Sequence, residues 1–380
     1  MQVTPGQRFV FVTGTPANLR HGSGTWAGIA ALRQALRDLG HEVALIAPAQ
    51  ANPSLIGRLL FNLRARGTPI PEGAIVVGFD LDGLFLGAPI ASIKGVISEE
   101  MQFERGATRL RLWLASRLER RRVRRAARVL TTSRYAAAAL ERRYGVAAES
   151  LRIVPELLNV AAWQRALSQT PQPANSAPVI LCVAHLYPRK DIPTLLQALA
   201  LLPDQVRLHV VGEGPEAGRL RRLAAQLRVE SRVEFLGHIA RPDLLREYRG
   251  ATVFCLPSRQ EGFGIVLLEA MASGLPIVAA RATAIPEVVP EPDCGLLFPP
   301  GDARLLAGQV LKLLDDAALR GLMARAAQRH VLRYDAARIA PAFLAAITGA
   351  APSAPLRPPP KPAPPNRPGR SPSARFSIGP

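Results

Sequence analysis

The chain has 380 residues, 48% of them hydrophobic, and a formal net charge of +19 at pH 7. That is enough apolar material for more than one core. No run approaches the ~20 apolar residues of a membrane-spanning helix, and Cys182, Cys255 and Cys294 are too few and too scattered for a disulfide scaffold or a Cys/His zinc module. The charge excess points to an anionic partner.

In chain order, residues 9–12 read as a strand that follows Arg8 directly, so a leader peptide is not expected and the chain reads as cytoplasmic. A helix is predicted over 26–39, with Gly40 just past its end. Strands follow at 42–46 and 74–79, a long helix at 110–127, a strand at 129–132, a helix at 135–143 stopped by Gly145, and a strand at 152–154 ended by Pro155. This alternation predicts a parallel, doubly wound sheet over residues 1–165. A polar, proline-bearing stretch at 166–178 reads as a linker. The alternation then restarts over 179–331. Strands are expected at 179–183, 206–211, 233–235, 252–256 and 276–279. Helices are expected at 192–202, 216–227, 243–249, after Glu261, at 305–314 and at 317–331. Residues 332–349 read as a helix returning to the first domain. Residues 350–380 are proline-rich, basic and nearly free of apolar side chains, so disorder is expected. The fold class is α/β, with two Rossmann-like domains facing a cleft.

Glu261 and Glu269 stand eight positions apart after a predicted strand and at the start of a predicted helix. Gly262 and Gly264 allow a tight turn and close approach of a ligand. The helix start offers free N–H groups to a diphosphate, and each carboxylate can accept two hydroxyl hydrogen bonds, which suits sugar and ribose. A glycosidase pair fits less well, because eight helical residues span ~12 Å and paired catalytic carboxylates stand ~5–9.5 Å apart.

Gly22-Ser-Gly24-Thr-Trp-Ala matches a dinucleotide fingerprint in letters only. It stands well after its strand, and no acid ends the next one. Asp80-Leu81-Asp82 ends a strand at the cleft, where either carboxylate can bind a ligand hydroxyl or cap the turn. Residues 104–128 hold ten arginines against two glutamates. On a helix Arg120, Arg121, Arg124, Arg125 and Arg128 share one face, opposite Val123, Ala126, Ala127 and Leu130. That face is either simply solvated or touches an anionic membrane. No nucleic-acid-binding motif accompanies it.

The segment from Glu261-Gly-Phe-Gly-Ile to Glu269-Ala-Met-Ala-Ser-Gly-Leu-Pro-Ile-Val resembles the signature of retaining, nucleotide-sugar-dependent glycosyltransferases of family 4, the group 1 glycosyltransferases with the GT-B fold. The resemblance implies that Glu261 holds donor-sugar hydroxyls, that Glu269 holds the ribose, and that backbone N–H groups at Phe263, Gly264 and Ile265 face the donor. Val183-Ala-His185-Leu-Tyr-Pro-Arg-Lys190 is similar to the segment in which an Arg and a Lys clamp the diphosphate. Lys190 matches the Lys, and His185 stands where Arg is usual. Gly212 falls in the family's strand-to-helix turn, and Gly22 and Gly24 in its first-domain glycine loop. A histidine usual after the strand ending at residue 79 is absent, with Asp80 in its region.

The resulting expectation is a glycosyltransferase that uses a UDP- or GDP-sugar, with no metal or other cofactor required, and acts on a glycan or lipid acceptor with retention. The expected catalytic set is Lys190, Glu261, His185 and Asp80. Two alternatives stand beside it: a nucleotide-sugar enzyme of other chemistry, such as an epimerase, and a basic lipid- or nucleic-acid-binding protein without catalysis.

Overall fold

A computed structural model describes residues 6–17, 24–50, 54–173 and 177–348. Gly22, the neighbouring His21, part of the predicted linker and the predicted tail lie outside the described residues.

The first domain runs β1 (Arg8–Val12), α1 (Gly24–Asp38), β2 (Glu42–Ile46), α2 (Leu55–Arg66), β3 (Ile75–Phe79), β4 (Ile90–Ile93), α3 (Ile97–Glu100), α4 (Gly106–Arg125), β5 (Arg128–Thr131), α5 (Arg134–Tyr144) and β6 (Leu151–Ile153). The second begins at α6 (Val160–Gln169) and continues through β7 (Val179–Val183), α7 (Ile192–Leu199), β8 (Arg207–Val211), α8 (Ala217–Gln226), β9 (Val233–Gly237), α9 (Arg241–Gly250), β10 (Val253–Leu256) and α10 (Ile265–Ala272). It closes with β11 (Ile277–Ala280), α11 (Ile285–Val288), β12 (Gly295–Phe298), α12 (Ala303–Asp315) and α13 (Ala317–Val331), after which α14 (Ala336–Thr348) follows.

The two six-stranded sheets are ordered β2-β1-β3-β4-β5-β6 and β12-β11-β10-β7-β8-β9, and their strand pairs are parallel. Helices cover both faces. The central strands are therefore buried on both sides and read as unbroken apolar runs, as in the fully buried β3, β10 and β11.

Six elements were not predicted, and two of them, α3 and α11, are single turns of four residues. β4 and β12 are four-residue strands among glycines and prolines, too short to show a period. α2 has a clear start, with Ser54 Oγ accepting from Gly57 N, yet its apolar residues do not line up on a buried face. α6 begins inside the predicted first domain, and its last four residues, 166–169, fall in the predicted linker. Trp163 and Leu167 nevertheless bury in the core of the second domain.

α4 begins four residues before its predicted start. Arg120, Arg121, Arg124 and Arg125 are exposed and Val123 is buried, as the pattern required. Arg128 departs from it, since it opens β5 and is half-buried, and Ala127 is exposed.

The chain passes between domains twice, side by side. Leu158 N donates to Tyr334 O at 3.0 Å, and Ala336 N donates to Leu158 O at 2.9 Å. α14 then packs on the first sheet, with Phe343 centred 6.5 Å from Phe9 and 6.3 Å from Phe11.

Candidate active site

In an open parallel sheet a crevice forms where the strand order reverses, outside the carboxyl ends of the strands. In the second sheet that point lies between β7 and β10. The loop after β7 carries His185 and Lys190, and the loop after β10 carries Glu261 through Gly264. Chain reversal therefore brings together residues 71 positions apart. Lys190 Nζ donates to Glu261 Oε1 at 2.6 Å, with side chains only 12% and 9% exposed. Burial alone would raise the Glu261 carboxyl. The ammonium of Lys190 and the guanidinium of Arg189 outweigh it and hold the group below its usual range. Thr283 Oγ1 accepts from Glu261 N at 2.9 Å and fixes the loop from the third side.

Gly264 caps α10 with φ +89°, a conformation that suits glycine. The side chain of Phe263 turns away from the crevice and packs edge-on against Tyr334, with centroids 5.4 Å apart. Only its backbone remains at the site. Glu269 lies in the second turn of α10, where Oε2 accepts from Tyr248 OH at 2.8 Å. Burial raises the Glu269 carboxyl to about 7, partly offset by this bond and by Arg241. Tyr248 is itself buried, wedged between Trp163 and Phe254. The sequence reading missed it. A tyrosine in the helix before the motif strand was the available signal.

His185 meets solvent at its edge, while its inner side is crowded. That desolvation, with the charges of Lys190 and Arg189, keeps its pKa below the ordinary value, so the ring is neutral near pH 7. Arg189, next to Lys190, is occupied elsewhere: Nε donates to Gln260 Oε1 at 3.1 Å and Nη2 to Glu100 Oε1 of the first domain at 3.3 Å. Gly212 sits where a Cβ would fall 2.1 Å from Ala184 O, so the ends of β7 and β8 close only around glycine.

The first sheet reverses between β1 and β3. The carboxylate of Asp82, fully buried, accepts from Arg58, from Asn62 Nδ2 at 2.9 Å and from Gly14 N. It ties α2 to the loop after β1. Asp80, at φ +53°, is partly open. Burial raises its carboxyl to about 6 against the pull of Arg58 and of the bond from Lys94 N. The two acids thus divide: Asp82 is locked among its partners, and Asp80 stays partly exposed. Beside them Lys94 Nζ pairs with Glu156 Oε2 at 2.9 Å, a buried ion pair that the sequence reading did not single out.

The two crevices face each other. Thr132 Oγ1 and Ser133 Oγ donate to Gly262 O at 3.1 and 2.7 Å. Glu287 accepts from Arg134 N and Tyr135 N at the start of α5 across the domain boundary. Gly24 opens α1 so close to α10 that a Cβ would stand 3.2 Å from Ile265 Cγ2. Among the described residues no cluster of three His, Cys, Asp or Glu side chains could hold a metal ion.

Residues 164–330 match the family profile described as glycosyl transferases group 1. The chain is 36% identical over 168 residues to a GDP-mannose-dependent monoacylated alpha-(1-6)-phosphatidylinositol monomannoside mannosyltransferase of Corynebacterium glutamicum, covering 41% of this chain and 43% of that one. It is 34% identical over 161 residues to the sulfoquinovosyl transferase SQD2 of Arabidopsis thaliana, covering 42% and 31%. Each alignment thus spans less than half of the curated relative. Among solved structures, a sucrose-phosphate synthase from Thermosynechococcus elongatus superposes with a TM-score of 0.77 at 23% identity, over 91% of this chain and 100% of that one. HepE of Anabaena, solved with UDP-glucose, gives 0.70 at 22% over 90% and 100%. Those likenesses extend the shared fold over both domains. The chain has the GT-B fold, and its second domain belongs to the group 1 glycosyl transferases.

Proposed function

We propose that this protein transfers a sugar from a UDP- or GDP-sugar to a glycan or lipid acceptor with retention at the anomeric carbon. The observation that carries the reading is the convergence of Lys190, Glu261 and the start of α10 at the switch point of the second sheet, with Glu269 one turn further in. Glu269 holds the ribose hydroxyls and Glu261 the hydroxyls of the donor sugar. The free N–H groups at Ile265 and its neighbours receive the diphosphate. Lys190 neutralises the charge that grows on the leaving phosphate, an interaction typically worth 10²–10³ in rate. His185, being neutral, adds a hydrogen bond and no charge. Gly24 and Gly212 let backbone approach the donor, and Gly22 is assigned the same role by its place in the glycine loop.

In the transfer step the bond from the anomeric carbon to the diphosphate oxygen breaks, and the bond to the acceptor oxygen forms on the same face. The acceptor proton passes to the departing phosphate. Asp80, across the cleft, accepts a hydrogen bond from the acceptor and orients it. The diphosphate charge is met by Lys190 and backbone amides, so the reading assigns no metal.

The protein is placed on the cytoplasmic side of a membrane. Its basic surface at Arg120, Arg121, Arg124 and Arg125 meets anionic lipid, in the service of cell-envelope polysaccharide or glycolipid synthesis. Thermal unfolding with UDP, GDP, ADP and their sugars tests the donor, because a ligand at 100 times its Kd adds ~2.7 kcal/mol. Transfer from a radiolabelled donor by Glu269→Ala tests the site. Undiminished transfer would refute the assignment, and release of free altered sugar in place of a conjugate would favour the epimerase class.

A further inference from the structure

Helix α2 is amphipathic in the reverse sense. Ile56, Leu60 and Leu63, at i, i+4 and i+7, point to solvent, with Ile56 71% exposed. Asn62 is buried, and Arg58 turns inward to Asp82. Helix α4 repeats the pattern in its first half. Leu110, Trp113 and Leu114 are exposed, Leu110 by 60%, while Glu119 and Arg122 are buried. The inward places are filled by a polar network with partners of its own. Arg122 Nη2 donates to Ile90 O at 2.8 Å, and Glu119 Oε2 accepts from Ile97 N at 2.9 Å.

The two helices share one layer. In the order β2-β1-β3-β4-β5-β6, the β2-to-β3 and β4-to-β5 connections step the same way across the sheet. Right-handed crossovers then put α2 and α4 on the same face, opposite α1. Asp82 bridges them, its carboxylate to Arg58 and Asn62 of α2 and its carbonyl to Arg122 of α4. Between them the turn after β3 exposes Phe85. This layer carries seven of the fourteen exposed large hydrophobic side chains among the described residues. So large an apolar concentration on one face marks a contact surface.

Its chemistry selects the partner. α2 contains no acid, and the one acid of α4, Glu119, is buried. Arg64, Arg66, Arg117 and Arg121 are exposed around the apolar residues, and the Arg117 guanidinium lies 4.7 Å from the centroid of Trp113. Leucine and isoleucine stripes have nothing to bind on a nucleic acid. Apolar side chains, an interfacial tryptophan and a rim of arginines together suit anionic headgroups over acyl chains. We infer that the α2–α4 layer is a docking face for an anionic bilayer, with Ile56, Leu60, Leu63, Phe85, Trp113 and Leu114 entering the interface and the arginines binding lipid phosphates.

This deepens the peripheral reading above and rests on it, while moving the contact from an arginine cluster to a two-helix face. Arg105 and Arg109, at the start of α4, line a groove of about 570 Å³ with Tyr187 and Arg219 of the second domain.

The test uses the full chain with phosphatidylcholine vesicles, with and without phosphatidylglycerol, at low and high salt. The wild type is expected to sediment with the anionic vesicles and to keep part of that binding at high salt. Trp26 and Trp163 are buried, so a blue shift of tryptophan emission on binding reports Trp113. The paired variants Leu60→Gln with Leu63→Gln, and Trp113→Gln with Leu114→Gln, should each weaken binding at least about tenfold and keep the wild-type melting temperature. Glu269→Ala should bind vesicles like the wild type. No vesicle binding by the wild type overturns both the face and the peripheral reading. Binding that the paired variants leave unchanged, or that high salt abolishes wholly, overturns the apolar face and leaves a purely electrostatic contact. Equal binding to vesicles without phosphatidylglycerol overturns the anionic specificity.

Discussion

Tyr248 gives its phenolic hydrogen to Oε2 of Glu269 at 2.8 Å, from α9, the helix that precedes β10 in the chain. The bond orients a carboxyl that burial has raised to about 7. In its proposed role Glu269, as a carboxylate, accepts both ribose hydroxyls. Once protonated it has one acceptor fewer and a proton to place. Affinity for UDP or GDP should therefore rise between about pH 6 and pH 8 and level off above. Glu269→Gln should flatten that rise. Tyr248→Phe removes a hydrogen bond that favours the ionised form, so the midpoint should move upward and affinity at pH 7 should fall by roughly tenfold. Calorimetric titration across this range checks the three curves.

Lys190 is the counter-charge of Glu261, and its loss leaves a buried carboxylate unpaired. Lys190→Ala should lower the transfer rate by about 10²–10³-fold. It should also reduce stability by about 3 kcal/mol, the usual effect of removing one member of a buried pair. Single-turnover transfer and denaturant unfolding separate the two effects.

Gly262 is a point of close contact between the domains. A Cβ there would fall 2.3 Å from Lys94 O. Gly262→Ala should therefore push the domains apart and strain the bonds from Thr132 and Ser133, while each core stays intact. The expected result is transfer reduced at least about a hundredfold, comparable to a small misplacement of reacting groups. Melting should be little changed and the radius of gyration larger by X-ray scattering.

Glu119 gives a test of stability against pH. Burial raises its carboxyl from 4.5 to about 8, partly offset by Tyr144 OH at 2.5 Å. The folded state binds this proton more tightly than the unfolded chain. The stability it contributes is thus fully present below about pH 4.5 and is lost as pH rises through about 8. Asp80, raised to about 6, and Glu269, raised to about 7, act in the same sense. Glu119→Gln should flatten the decline across that window, read as denaturant midpoints at successive pH values.

The half of the site proposed for the donor was legible because its chemistry is local. Glu261, Gly262, Gly264 and Glu269 lie within one strand–turn–helix unit, so spacing alone places them on a loop and a helix start. Lys190 was legible through resemblance of a short segment. The acceptor half was less so. Asp80 and Asp82 are equivalent in sequence and become different groups only when Arg58, Asn62 and Gly14 converge on one of them. The Lys94–Glu156 pair and Tyr248 escaped notice because their meaning depends on partners tens of residues away.

By itself the sequence determined the two parallel-sheet domains, their order and the donor motif, since hydrophobic period, turn chemistry and helix caps act over a few residues. Tertiary structure alone decided which of Asp80 and Asp82 is locked among partners, which tyrosine holds Glu269 and which helix faces stay open to solvent. α2 shows the reason. Its pattern of Ile56, Leu60 and Leu63 describes an apolar stripe, but a stripe does not say which way it faces. Asp82, by drawing Arg58 and Asn62 inward, turned that stripe out.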